Sequence, residues 1–128
     1  MMQVPGLYVA PSGKSGRGVF TASALRVGDL IEICPVIVIP GDQRPWIDQC
    51  ILHDYYFLWD EEQGDIALAL GYGMLYNHRK KANAEAERDL GACVIRIRCI
   101  ESISAGEEIF INYNDHLGSQ NTLWFTPE

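Results

Sequence analysis

Apolar positions along the chain gather in short runs, most of them rich in β-branched residues and closed by glycine. "GVFTA" (18–22) and "DLIEICPVIVIP" (29–40) read as strands on that ground. Pro35 and Pro40 mark bends or edge positions, because proline cannot donate to a ladder. "GDIALAL" (64–70) is a further short strand. "ACVIRIRCIESI" (92–103) alternates apolar and polar positions, which predicts a half-buried strand with Arg96 and Arg98 facing out. The turn "SAGEE" then leads into a last strand, "IFINY" (109–113). One stretch changes period. In "QRPWIDQCILHDYYFLW" (43–59), Trp46, Cys50 and His53 fall at helical spacing, so a helix is expected ahead of an aromatic strand at 55–59. No repeat, low-complexity tract or linker interrupts these elements. The pattern predicts a β-dominated domain with few short helices.

Composition narrows the picture. With 128 residues, 48% of them apolar, the chain is expected to be one domain with its own core. It holds no apolar run of signal-peptide type and none near the ~18 residues of a membrane span, so a soluble intracellular chain with no membrane partner is expected. The four cysteines lie far apart with no C-x-x-C pair, and three of them sit in apolar surroundings that suit reduced core thiols. No metal is expected. The net charge is −7, and Lys and Arg cluster only in "HRKKA" (78–82). A phosphate backbone needs more cationic surface than that, so nucleic acid is not an expected direct ligand. An acidic surface keeps a protein soluble, and it can also steer a Lys-rich partner.

Four stretches carry candidate chemistry, and each has an ordinary reading when taken singly. In "KSGRGVF" (14–20), Gly16 and Gly18 let backbone approach a ligand, or simply form a tight turn. In "GYGMLYNHRKKANA" (71–84), Asn77 and His78 offer donors and acceptors, or again a turn. "EEIFINYND" (107–115) delivers Tyr113 at the end of an apolar strand, where a half-buried core tyrosine is common. In "LGSQNTLWFTPE" (117–128), Trp124 and Phe125 are large apolar groups expected to fold back over the body.

In this order, these stretches resemble the motifs of the SET-domain protein lysine methyltransferases. "SGRGVF" is similar to the family's G-x-G-[VIL]-F, "GYGMLYNHRKKAN" to its N-H-S-x-x-P-N, and "SAGEEIFINYND" to its G-E-E-L-x-x-D-Y. The turn signal "ALRVGDLI" (24–31) also fits. The resemblance runs from residue 7 to about 116. It implies a single SET domain over 1–128, with 117–128 as a closing tail, close to the minimal stand-alone SET proteins of viruses and bacteria. The chain departs from the motifs at Arg79 for Ser, Ala82 for Pro, Asn112 for Asp and Asn114 for Gly.

The resemblance implies a fold of small curved sheets with a C-terminal pseudoknot-like crossing. It also implies transfer of the methyl group of S-adenosylmethionine to a lysine ε-amine of a protein, with histones or histone-like proteins among the candidates and S-adenosylhomocysteine as product. Ser15 and Arg17 would hold the amino-acid end of the cofactor through backbone, with Gly16, also counted in the cofactor site, and Gly18 permitting the approach. Asn77 would bond that end through its side chain, His78 would hold the adenine, and Trp124 would stack on it or cap the channel. Tyr113 would be the catalytic residue, orienting the amine beside the methyl. Tyr55, Tyr56 and Phe57 would line an apolar channel, which favours the neutral amine over the charged form that a free lysine (pKa ~10.4) keeps. The alternative is a SET-like module that binds a basic peptide with little turnover. A homodimer stays open. The compartment would be cytoplasmic for a bacterial chain and could be the host nucleus for a viral one.

Overall fold

The computed structural model describes residues 2–13 and 16–112. Among them the strands are β1 (Met2–Gln3), β2 (Leu7–Pro11), β3 (Arg17–Thr21), β4 (Leu30–Ile39), β5 (Phe57–Asp60), β6 (Asp65–Ala69), β7 (Asn77–His78), β8 (Ala84–Asp89), β9 (Val94–Cys99) and β10 (Glu108–Ile111). Their ladders join in the order β2-β3-β10-β8-β9-β4-β6-β5, with β1 beside β4 and β7 beside β10. The strand-dominated class expected from the apolar runs is the class observed.

β4 belongs to two ladders. Its first half pairs antiparallel with β9, from Leu30 opposite Arg98 to Pro35 opposite Val94. Its second half pairs with β6, from Val36 opposite Ala69 to Ile39 opposite Ile66. Pro35 sits at the changeover, where a missing N–H costs least, and its carbonyl accepts from the Leu70 amide at 2.9 Å. The bend anticipated at this proline is therefore a change of partner within one strand.

β8 and β9 show how small residues and charges together make a strand. Ala84 and Ala86 are buried opposite Cys99 and Ile97, and Ile95, Ile97, Ile109, Ile111, Val19 and Ile31 complete the same apolar layer. On the other face, Arg96 pairs with Asp89 at 2.8 Å and Arg98 with Glu87 at 3.3 Å. The arginines face outward as the alternation predicts, about one-third exposed and held by cross-strand carboxylates. "AEAERD" gives no strand signal of its own, because Ala and Glu are poor strand formers. It becomes a strand because β9 and β10 lie on either side of it.

Two expectations need correction. The helix anticipated in 43–54 is a series of separate short turns: a 3-10 turn at Gly41–Gln43, α1 (Arg44–Ile47), and a 3-10 turn at Ile51–Asp54. The helical spacing misled because Trp46 and Cys50 are exposed, so the period marks no buried face. What binds this segment is polar. The Tyr56 hydroxyl donates to Asp48 Oδ1 at 2.7 Å, His53 Nδ1 lies 2.8 Å from the same oxygen, and Arg44 Nε donates to the Tyr56 hydroxyl at 3.2 Å. Second, two cysteines rather than three are buried: Cys34 and Cys99 lie in the core, while Cys50 and Cys93 are exposed. Burial pushes the Cys34 thiol up, and the neighbouring Glu32 pushes it further.

Candidate cofactor site

The strand that ends the described chain brings the motif stretches together. β10 pairs antiparallel with β3 on one side, Glu108 opposite Phe20 and Ile109 opposite Val19. On the other side it runs parallel to β7 and the start of β8, with Phe110 opposite Asn77 and Ile111 opposite both His78 and Ala84. Residues 16–18, 77–78 and 108–112 thus become neighbours in space.

Asn83 locks this crossing. Its Nδ2 donates to the Glu108 carbonyl at 3.0 Å, and its Oδ1 accepts from the Phe110 amide at 2.7 Å. The Arg79 amide donates to the Ile111 carbonyl at 3.0 Å, while its guanidinium lies 3.8 Å above the Phe110 ring. That cation–π contact gives Arg79 a packing role that the serine of the family motif could not fill. Asn112 Nδ2 adds a bond to the Lys80 carbonyl at 3.1 Å.

Asn77 stands at the centre. Its Nδ2 lies 2.7 Å from Glu108 Oε2, 3.0 Å from the Arg17 carbonyl and 3.2 Å from Ser12 Oγ. The Ser12 hydroxyl in turn donates to Glu108 Oε1. Gly18 is required by this arrangement. A Cβ there would overlap the Glu108 carboxylate and crowd Asn77 Nδ2. Gly16 turns the chain at φ +80°, a conformation other residues rarely adopt, and its carbonyl accepts from the Ser12 amide at 2.9 Å. The two glycines of one motif therefore serve different ends, a turn and a close approach.

The residue before Asn77, Tyr76, reaches a buried carboxylate. Glu32 is fully buried and accepts from the Tyr76 hydroxyl at 2.6 Å, the Tyr72 amide at 2.9 Å and Gln3 Nε2 at 2.8 Å. Burial pushes the Tyr76 phenol far above its ordinary value, and Glu32 pushes it in the same direction. Glu32 fixes the segment 72–76 that leads directly into Asn77 and His78.

Gly16, Arg17 and Asn77 are brought together, and His78 is buried next to Asn77 on β7. Ser15, Tyr113 and Trp124 lie outside the described residues, as does Phe125. Of the channel group, Tyr55 faces solvent, Tyr56 is buried with its hydroxyl held by Asp48, and Phe57 is buried in the core. Sequence reading gave no role to Ser12, Glu32 or Glu108. Glu32 had a visible signal, a lone carboxylate inside the apolar run "LIEICPVIVI".

The chain is similar to known proteins over most of its length. A family model described as "SET domain" matches residues 16–114. The chain is 31% identical over 123 residues to a Schizosaccharomyces pombe protein named "Histone-lysine N-methyltransferase, H3 lysine-37 specific", covering 95% of this chain and 78% of that one. A solved structure of a candidate histone methyltransferase from Plasmodium falciparum superposes with a TM-score of 0.69 at 30% identity, covering 88% of this chain and 95% of the other. A structure of ctPRC2 in an autoinhibited conformation bound to S-adenosylmethionine gives a TM-score of 0.70 at 21% identity, covering 87% of this chain and 15% of the larger one. That last likeness concerns the fold alone. The chain belongs to the SET-domain family.

Proposed function

We propose that this chain transfers the methyl group of S-adenosylmethionine to a lysine ε-amine of a histone or histone-like protein. At the coarser level it is a protein-lysine methyltransferase of the SET-domain family. One observation carries the cofactor part of this reading: the corner where Asn77, the Arg17 carbonyl, Ser12 and Glu108 converge beside Gly18.

The residues present fit S-adenosylmethionine. Its amino-acid end carries an ammonium group, which calls for an oxygen acceptor, and in the corner a carboxylate and a backbone carbonyl hold the Asn77 amide whose oxygen would serve. The missing side chain at Gly18, itself buried, leaves room for the Glu108 carboxylate and Asn77 to pack against the backbone and form the corner. When bound, the cofactor supplies an activated methyl on a sulfonium.

The chain's own groups would then do three things. Gly16 and Arg17 present backbone to the amino-acid end, and Asn77 presents its amide. His78, next along β7 and buried, is assigned to the adenine side. Tyr113 orients the amine, and Tyr55, the exposed member of 55–57, is the one left to line an apolar channel that favours its neutral form. Most of the acceleration in such an in-line displacement comes from alignment. The net charge of −7 suits a basic protein substrate.

The test is to incubate the protein with S-adenosylmethionine and either core histones or unrelated basic proteins, then map modified residues by mass spectrometry. Methyl groups confined to histone lysines support the proposal. Methylation of unrelated proteins alone would remove the histone assignment and leave the lysine chemistry.

A further inference from the structure

The hydrogen bonds around Asn77 all point one way. Ser12 and Arg17 flank one turn and Glu108 comes from β10, and each places an acceptor at Asn77 Nδ2. A carboxylate and a carbonyl accept and do not donate. The Ser12 hydroxyl could do either, but its proton is directed to Glu108 Oε1, so its oxygen is left to accept from Asn77. An amide carries donors at one end and an acceptor at the other, so this set of neighbours admits one orientation of the Asn77 side chain.

We propose that Glu108, assisted by Ser12, is a positioning residue that fixes the Asn77 amide with its oxygen presented to the ligand, so that the site selects a cofactor whose near end carries an ammonium group. The inference rests on the assignment of Asn77 to the cofactor and deepens it. Glu108 acts through Asn77, and its carboxylate also makes the corner electrostatically favourable for a cation. Gly18 leaves the room that the carboxylate occupies.

The experiment is calorimetric titration with two probes. S-adenosylhomocysteine keeps the amino-acid end, whereas 5′-methylthioadenosine lacks it and keeps the adenosine and thioether. In Glu108→Gln the shape is preserved, but a donor amide can now face Asn77 Nδ2 and the preference for one orientation is lost. The expected result is a loss on the order of tenfold for S-adenosylhomocysteine, with methylthioadenosine affinity unchanged. Ser12→Ala should shift the ratio of the two affinities in the same direction by a smaller factor, and it carries the test should Glu108→Gln fail to fold. A role confined to folding would weaken both probes equally. Equal losses, or no loss for either, would overturn the proposal while leaving the cofactor reading intact. If the wild-type protein binds neither probe, the cofactor reading falls and this proposal with it.

Discussion

The Tyr76 hydroxyl donates to Glu32 Oε1 at 2.6 Å, joining two fully buried side chains 44 positions apart in the sequence. This bond ties β4 to the residue immediately before Asn77, so a core contact sets the entry angle of the candidate site. Tyr76→Phe keeps the ring and leaves Glu32 one donor short. An unsatisfied buried acceptor of this kind costs about 1–3 kcal/mol. Urea unfolding should show that loss as a lower midpoint with the slope unchanged. An unchanged midpoint would mean the bond adds nothing to stability.

That pair joins positions whose relation no local pattern in the sequence shows. Strands with a two-residue period or a β-branched run were legible: β3, β4, β6, β9 and β10 fall where the pattern puts them. β8 was not, because alternating alanine and charge has no strand signature until its neighbours bury the alanines. The 41–54 segment was misread because three residues at helical spacing suggested a helix where the segment is bound by Asp48 and its polar partners. Of the site, Gly16, Arg17 and Asn77 could be read from motif order. Glu108 lies inside the quoted G-E-E stretch and Ser12 outside every motif, and neither shows a role until a crossing of distant segments brings both to one amide.

Gly18→Ala should separate folding from ligand binding. The backbone at Gly18 is outside the left-handed region, so alanine is conformationally acceptable, yet its methyl group would displace the Glu108 carboxylate and Asn77. The variant should retain its circular dichroism spectrum and lose S-adenosylhomocysteine affinity by about tenfold or more, the equivalent of one charge-assisted hydrogen bond. Binding at wild-type strength would show that the approach at Gly18 serves packing alone.

Asn77→Ala removes the amide that the surrounding acceptors hold. A bond to a charged cofactor group is worth about 1.5–3 kcal/mol, so calorimetry should record a drop of that size in S-adenosylmethionine binding. The result that counts against the assignment is equal affinity in a folded mutant.

Asp48 gives a pH-dependent prediction. Its burial raises the carboxyl, but the bonds from His53 and Tyr56 outweigh that and, with Arg44 nearby, hold it below the ordinary 3.8. A carboxylate held low stabilises the fold fully above its ordinary value, and that contribution is lost as pH falls through the depressed one. Because the group is largely solvent-screened, the sum is under about 1 kcal/mol. The stability difference between wild type and Asp48→Asn should therefore persist down to the carboxylate range and close below it. A difference that stays constant through strong acid would assign it to packing.

This SET-domain chain should move a methyl group from S-adenosylmethionine to a lysine amine. The most direct measurement supplies S-adenosylmethionine labelled on its methyl, together with core histones, and locates the label by peptide mapping. Label is expected on lysine side chains, formed along with S-adenosylhomocysteine, and greatly reduced in Tyr113→Phe, where loss of one well-placed polar contact can cost about 10²–10³-fold in rate. A folded wild-type protein that binds the cofactor and the histones yet leaves every lysine unlabelled would contradict this assignment.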